Sequence, residues 1–227
     1  MKVLLALPAA FMVAACAGQP AADVWGDYSL MGRAASGVIW DERAPASLYQ
    51  WDTVSANEAH IHWGSPKNWP TEHRERFIHS GDWVLLDGWW GNGTYYTQRV
   101  TKEMLCDAAC NSCKPLEGDV QHYAMWRVPA HAYCLQAEGT ITERSSGKVL
   151  HFKHVQVYTP PAPCSNTSFA HATCITQHET WWDDNRTQFE KKLDRTEYLG
   201  KGLGHGFRID QTFPKPWHAE LHEVPKQ

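Results

Sequence analysis

The stretch Gly139-Thr-Ile-Thr-Glu-Arg-Ser-Ser-Gly147-Lys-Val-Leu-His-Phe-Lys-His-Val-Gln-Val-Tyr158 indicates the fold class. Two runs rich in β-branched and aromatic residues flank a short polar segment that contains a glycine. This pattern is typical of an antiparallel hairpin. We therefore predict two paired strands joined by a turn in the polar segment.

A second hairpin is predicted upstream, where Asp82-Trp-Val-Leu-Leu-Asp87 and Tyr95-Tyr-Thr-Gln-Arg-Val-Thr101 flank Gly-Trp-Trp-Gly-Asn-Gly-Thr. The dipeptide Asn92-Gly93 in that segment is a strong turn signal. One late helix is predicted: Asp184-Asn185 caps it, and Phe189 and Leu193 lie on one face. The remaining strand-like runs are 59–63, 122–128, 132–142 and 173–182. The expected fold is mostly β, a single antiparallel barrel or sandwich domain, lipocalin-like or jelly-roll-like, with one short late helix.

The N-terminus has the composition of an export signal. Met1 and Lys2 give a positive start, and Val3 to Ala15 is an apolar run too short to span a bilayer. Val13-Ala14-Ala15-Cys16 resembles the lipobox of bacterial lipoproteins, which implies lipidation of Cys16. Ala17 follows the cysteine, and the resemblance then implies sorting to the outer membrane.

These features predict a signal peptide over residues 1–16, a tether rich in Ala, Gly and Pro over 17–24, and a β domain over 25–227. Ordinary secretion is the alternative, because Ala15-Cys16-Ala17 also fits a small-x-small cleavage site. The only membrane attachment expected is the N-terminal lipid, since no second apolar stretch approaches membrane length. A net charge of −4 without a basic run argues against a nucleic-acid partner.

Cysteine count points to an oxidising compartment. Seven cysteines minus Cys16 leave six, and an even set in an exported chain predicts three disulfides. Fifteen pairings of six cysteines exist, and the sequence does not choose among them. Zinc binding by some of these thiolates is the alternative. The six are Cys106, Cys110, Cys113, Cys134, Cys164 and Cys174.

Twelve tryptophans stand out in the composition. The neighbours Trp89-Trp90 and Trp181-Trp182 point to opposite faces if they lie on strands. One residue of each pair is then expected to be exposed or to line a cleft, which makes all four candidates for ligand binding. An indole offers apolar area and one N–H donor, which suits a small molecule or a glycan.

Among the 13 histidines, Ala59-His60-Ile61-His62-Trp63-Gly64-Ser65 forms the sharpest local pattern. On a strand, His60 and His62 share a face, about 7 Å apart, and can converge on one metal ion. The segment resembles the metal strand of α-type carbonic anhydrases, and Leu150-His151-Phe152-Lys153-His154 resembles the strand with the third ligand. This resemblance implies zinc on His60, His62 and His151, with zinc-bound hydroxide as nucleophile. Metal-free imidazoles beside tryptophans are the alternative.

Two further resemblances concern small-ligand and metal-binding β folds. Gly81-Asp82-Trp83 resembles the Gly-x-Trp that opens the first strand of lipocalins, which implies a ligand-binding barrel. The His60/His62 pair, together with Val128-Pro129-Ala130-His131, resembles the metal motifs of cupins.

Three functional hypotheses follow from the sequence. The first is an exported envelope domain that binds a small molecule or carbohydrate through Trp89, Trp90, Trp181 and Trp182. The second is a metal-dependent enzyme, a carbonic-anhydrase-like hydratase or a cupin-type enzyme, on His60 and His62. The third is an envelope assembly protein whose tryptophans form a protein interface.

Overall fold

A computed structural model of the chain describes residues 28, 35–41, 47–55, 57–64, 74–91, 93–116, 123–165, 167–184 and 189–221. The predicted signal peptide, Cys16 and the tether lie outside these residues. Within the described residues, no helix is both long enough and apolar enough to cross a membrane.

The described residues form fifteen β-strands. They are β1 (Ala35–Asp41), β2 (Ser47–Ser55), β3 (Glu58–Gly64), β4 (Arg74–Ser80), β5 (Trp83–Gly91), β6 (Thr94–Asp107), β7 (Cys113–Pro115), β8 (Tyr123–Trp126), β9 (Tyr133–Glu143), β10 (Val149–Tyr158), β11 (Ala162–Pro163), β12 (Thr173–Asp184), β13 (Phe189–Gly200), β14 (Gly204–Phe213) and β15 (Trp217–Leu221).

Twelve of these strands close into a hydrogen-bonded ring in which every neighbouring pair is antiparallel. The ring runs β1-β2-β3-β4-β5-β6-β9-β10-β12-β13-β14-β15 and returns to β1. Strands β7, β8 and β11 pair with β6, β5 and β12 outside the ring. The chain passes from each ring strand to its next neighbour, as in an up-and-down barrel. The predicted antiparallel, mostly β fold is confirmed.

The two ends of the barrel differ in their connections. One end, here called the turn end, carries the short turns around Gly93, at 144–148 and at 214–216. The other end, here called the disulfide end, carries the longer connection from β6 to β9 and the connection from β10 to β12. The bonds Cys106–Cys113, Cys110–Cys134 and Cys164–Cys174 staple these connections. The prediction of three disulfides is confirmed.

Opposite walls of the ring touch, so the barrel is flattened. The ring of Phe77 on β4 lies 5.4 Å from the ring of His205 on β14, and Trp126 on β8 lies 6.4 Å from the same imidazole. Strands β4 and β14 are far apart along the ring, so this contact crosses the interior. The two walls therefore pack face to face like the layers of a sandwich.

Side chains alternate between the interior and the outer face, as the pleat of a strand requires. On β10, the residues Phe152, His154, Gln156 and Tyr158 are buried, while the residues between them are partly exposed. Apolar side chains fill much of the interior and bury area that stabilises the fold by about 25 cal/mol per Å². Fully buried ones include Ala59, Ile61, Phe77, Trp126, Leu135, Phe152, Tyr158, Ile175, Leu199 and Phe207.

The predicted late helix is wrong. The described part of that segment is a strand, because β12 continues through Asp184 and β13 begins at Phe189; Asn185 lies outside the described residues. The four-residue spacing of Phe189 and Leu193 in the sequence is compatible with a regular strand as well as with a helix. Pairing of β13 with both β12 and β14 decides between these interpretations.

The two predicted hairpins are present, with one change of boundary. Strands β9 and β10 pair along their whole length. In the other hairpin, Gly88–Gly91 is strand paired with Thr94–Thr97, so the turn is shorter than the predicted seven residues. Gly93 has a φ of 76° there, a conformation that glycine adopts without strain.

Candidate functional site

The first tryptophan pair splits between the two faces of β5. Trp89 lies opposite Glu75 in the register with β4, on the inward face, and stacks on Tyr96 at 5.4 Å between ring centroids. Trp90 lies on the outer face, 4.3 Å from the Tyr95 ring and 5.8 Å from the His60 ring. The predicted alternation is confirmed for this pair.

The second pair splits in the same way. Trp181 faces inward, stacked on Phe152 at 4.6 Å with an angle of 8° between the rings, and its ring lies 5.1 Å from His154. Trp182 faces outward, with the ammonium group of Lys153 5.7 Å from its ring centroid. Both inward tryptophans, Trp89 and Trp181, are only partly buried.

A glycine positions the ring on which Trp181 stacks. A Cβ added at Gly139 would lie 2.2 Å from the backbone oxygen of Arg99 and 2.9 Å from the Phe152 ring. Only glycine therefore lets β6, β9 and the Phe152 side chain approach this closely. The Phe152 ring lies over this gap and stacks on Trp181.

Trp89 and Trp181 lie near the same end of the barrel, on facing walls. Each is within three residues of the last residue of its strand at the turn end. Across the interior, the Glu75 carboxylate on β4 is close enough to raise the pKa of Arg195 on β13, so these strands face one another. Because the ring continues from β4 to β5 and from β13 back to β12, β5 faces β12 on the same side.

A buried ionic cluster lies beneath Trp181 and includes Glu179, which is two residues nearer the disulfide end on β12. We call it the interior cluster, and its five members are Glu179, Arg195, Glu197, His154 and His205. Arg195 bridges both carboxylates, donating to Glu179 and lying 2.5 Å from Glu197. His154 lies 2.8 Å from Glu179, and His205 lies 2.8 Å from Glu197. All except Arg195 are at most 3% exposed.

The interior cluster keeps its central pair charged. Burial raises the pKa of Glu179, but the charge of Arg195 and the hydrogen bond from His154 outweigh it and hold the pKa well below its ordinary value. Burial also lowers the pKa of Arg195, yet the carboxylates of Glu179 and Glu197 hold it above its ordinary value. A buried charge is tolerated only when it is paired in this way.

Neutral polar groups extend the cluster. Gln156 accepts hydrogen bonds from Tyr158 at 2.7 Å and from Gln177 at 3.0 Å. The Oε1 atoms of Gln177 and of Gln98 are buried and accept no hydrogen bond from any described residue. Buried acceptors of this kind are normally satisfied by protein, water or ligand. The interior therefore has hydrogen-bonding capacity that its described residues do not use.

A further carboxyl group faces this region from β6. Glu103 accepts a hydrogen bond from the backbone N–H of Ala124 at 2.9 Å. Burial raises its pKa to about 7, and the Ala124 N–H offsets only part of that effect. Near neutral pH, Glu103 therefore exists in both its protonated and its ionised form.

The histidines of the proposed zinc site do not come together. His60 and His62 lie on one face of β3, with ring centroids 6.5 Å apart. His151 lies on β10, five strands away along the ring, is 62% exposed and pairs with Asp184 at 2.7 Å. This set of three therefore does not fit a zinc ion. In the described part of the chain, no three His, Cys, Asp or Glu side chains form a group that could hold a metal.

Comparison of the chain with protein-family models, with curated proteins and with solved structures finds no match in any of the three.

Sequence reasoning missed the interior cluster. Its signal lies in polar residues at alternate positions of strand-like runs, as in Gln177-x-Glu179 and Arg195-x-Glu197. Such alternation ordinarily marks the solvent face of a strand. Only the register shows that this face points into the barrel.

Proposed function

We propose that this chain is an exported, lipid-anchored domain that binds a carbohydrate or a similar small polar ligand at the turn end of its barrel. Trp89 and Trp181 form the binding platforms, and the polar groups beneath them orient the ligand. Trp90 and Trp182 lie outside this site.

Export is supported by two independent features. The lipobox-like residues 13–16 follow an apolar run of signal-peptide length. Three disulfides staple the domain, and such bonds persist in oxidising compartments. We infer a lipoprotein facing the periplasm or held at the outer membrane, with Cys16 as its lipidated residue.

One observation carries the binding proposal: two partly exposed indoles, Trp89 and Trp181, face the interior of a barrel at the same end. Each is already stacked on a second aromatic ring, Tyr96 or Phe152, so its orientation is fixed before a ligand arrives. Pre-ordered aromatic groups lose little entropy on binding. Ligand sites commonly lie in the mouths of β-barrels and combine apolar walls with a few polar groups.

The polar groups beneath Trp181 favour a carbohydrate over a purely apolar ligand. Ligand hydroxyl groups can donate to the carboxylates of the interior cluster and to the unsatisfied oxygens of Gln98 and Gln177, and they can accept from Arg195. The C–H faces of a sugar ring pack on indoles. An apolar ligand would instead leave these buried polar atoms without hydrogen bonds, which costs about 1–3 kcal/mol for each atom.

The test compares neighbouring tryptophans that face opposite sides of one strand. A glycan array identifies a ligand, and its affinity is then measured for the Trp181→Ala and Trp182→Ala variants. We expect Trp181→Ala to lose about 30-fold or more in affinity, as for a binding hot spot of about 2 kcal/mol. Trp182→Ala should bind as tightly as the unmodified protein.

Trp89→Ala and Trp90→Ala form the second matched pair, with the loss expected for Trp89→Ala. Unfolding curves of all four variants separate lost binding from lost folding. Losses only in the outward variants would assign binding to the outer face. Equal losses within each pair would show no preference for the interior, and either result would contradict the proposal.

A further inference from the structure

Four of the six bonded cysteines lie together at the disulfide end. Cys106 on β6 is directly opposite Cys113 on β7 in one register and directly opposite Cys134 on β9 in the other. These three residues form a row across three strands, which we call the cysteine row. Cys110, in the connection between β6 and β7, bonds to Cys134.

Two sets of disulfides are compatible with this arrangement. The structure has Cys106–Cys113 and Cys110–Cys134. Directly opposite residues on antiparallel strands lie within the range that a disulfide spans, so Cys106–Cys134 is equally compatible with the register. Cys110 and Cys113 are separated by two residues, and the Sγ atom of Cys113 is 3.7 Å from the Cys110 carbonyl oxygen.

Access to the cysteine row comes from one side. Cys113 lies on an exposed strand, and with Cys106 it lines an open groove of about 980 Å³. Lys114 and Arg127 line the same groove, together with the carboxylates of Asp82 and Asp107. Neither Lys114 nor Arg127 makes an ion pair with a carboxylate among the described residues. Nearby cations favour the thiolate form, which is the attacking species in disulfide exchange.

We propose that the cysteine row is a thiol–disulfide exchange centre that an external thiolate opens at Cys113. The thiolate attacks the Sγ atom of Cys113, a mixed disulfide forms, the bond to Cys106 breaks, and Cys106 leaves as a thiolate. Cys106 then attacks Sγ of Cys134, which forms Cys106–Cys134 and releases the thiolate of Cys110.

The last step closes the exchange. The Cys110 thiolate attacks Cys113 in the mixed disulfide, forms Cys110–Cys113 and returns the external thiolate. Each step forms one S–S bond and breaks one, so the protein is isomerised without net oxidation or reduction. An external thiolate does not reach the third disulfide, Cys164–Cys174, because both of its cysteines are only 3% exposed, whereas Cys113 is exposed.

Reduced glutathione is the probe, added below stoichiometry to the folded, oxidised protein and then quenched by alkylation. Cleavage before aspartate separates Cys106 (residues 87–106) from Cys110 and Cys113 (107–118) and from Cys134 (119–182). The native bonds hold all three fragments together. Exchange instead links 87–106 directly to 119–182 and releases 107–118 with an internal disulfide.

Replacement of one cysteine gives a second readout. We expect Cys113→Ser to form Cys106–Cys134 and leave Cys110 open to alkylation. The matched control, Cys174→Ser, should leave Cys164 free without disturbing the other two bonds.

Retention of Cys110–Cys134 with a free Cys106 in Cys113→Ser would overturn the proposal. If that variant does not fold, the glutathione experiment decides alone. Opening of Cys164–Cys174 as fast as Cys106–Cys113, or the absence of the released 107–118 fragment, would contradict exchange within the row.

Discussion

The two halves of the barrel interior are built from different chemistry. On one side, the fully buried inward residues of β3, β4 and β8 are apolar, among them Ile61, Phe77 and Trp126. On the other side, β10, β12 and β13 carry charged and amide side chains inward beneath the partly buried Trp181, among them Gln156, Gln177, Glu179 and Glu197. The apolar half closes the barrel by packing, whereas the polar half retains groups that a ligand can use.

This contrast separates stability from binding in space. A filled apolar interior has no unsatisfied polar group that a ligand could pair with, so substitutions there change stability and not binding. An interior with unsatisfied acceptors and half-exposed indoles is suited to recognition. The predictions below test whether the two halves behave as differently as their composition indicates.

The largest effect is expected in the apolar half. Phe77→Ala removes a fully buried ring that crosses the interior, and it should lower the free energy of unfolding by about 4 kcal/mol. Trp181→Ala should cost less than half as much, because Trp181 is partly exposed. Urea unfolding followed by tryptophan fluorescence measures both. Equal costs would mean that the Trp181 ring is packed as tightly as the Phe77 ring.

The second effect tests the interior cluster. Arg195→Met leaves Glu179 and Glu197 buried without their shared cation, and we expect it to lower the free energy of unfolding by about 3 kcal/mol at pH 8. Without Arg195, burial raises the pKa of Glu179 above its unfolded value. Part of the lost stability should therefore return as the pH falls and Glu179 binds a proton.

Arg208→Met is the matched control on the neighbouring strand. Arg208 pairs with Asp210, whose side chain is 32% exposed, whereas the Glu179 side chain that pairs with Arg195 is 3% exposed, so water screens the Arg208 pair more. We expect a loss of about 1 kcal/mol or less, with little dependence on pH. A loss as large as that of Arg195→Met would show that enclosure in the interior adds nothing to the cost of removing the cation.

The third effect concerns Glu103. Its folded pKa of about 7 exceeds its unfolded value, so the folded state holds the proton more tightly. Stability from this group is present below the unfolded pKa and is lost as pH rises through about 7. Between pH 5 and pH 8 the loss should be about 2–3 kcal/mol. The Glu103→Gln variant should lack this pH dependence, while Glu138→Gln on the exposed face should retain it.

Sequence patterns predicted the elements whose signals are local. The β9–β10 hairpin follows from alternating side chains around a turn, and opposite faces for Trp181 and Trp182 follow from the pleat alone. The helix predicted up to Leu193 is wrong because a four-residue spacing fits a helix and a regular strand equally. Partner strands resolve that ambiguity, and they are distant in sequence.

Local sequence patterns could predict neither the interior cluster nor the disulfide pairing, and the reason is the same for both. Glu197 is polar in a strand and looks solvent-exposed until the ring closes around it. Cys106 has five other cysteines as candidate partners, and only the strand order places Cys113 and Cys134 on either side of it. Both features depend on register between strands rather than on residue type.

The smallest effect is expected at His151, which the sequence grouped with His60 and His62. In the structure it pairs with Asp184 on the barrel surface, far along the ring from β3. Exposed pairs of this kind contribute little, because water screens them. His151→Ala should leave the unfolding midpoint, ligand affinity and metal content unchanged within error. Loss of a bound metal in both His151→Ala and His60→Ala, measured by elemental analysis, would mean that His151 and β3 contribute ligands to one metal site. The flattened twelve-strand ring would then be wrong in its order, because that order keeps the two strands apart.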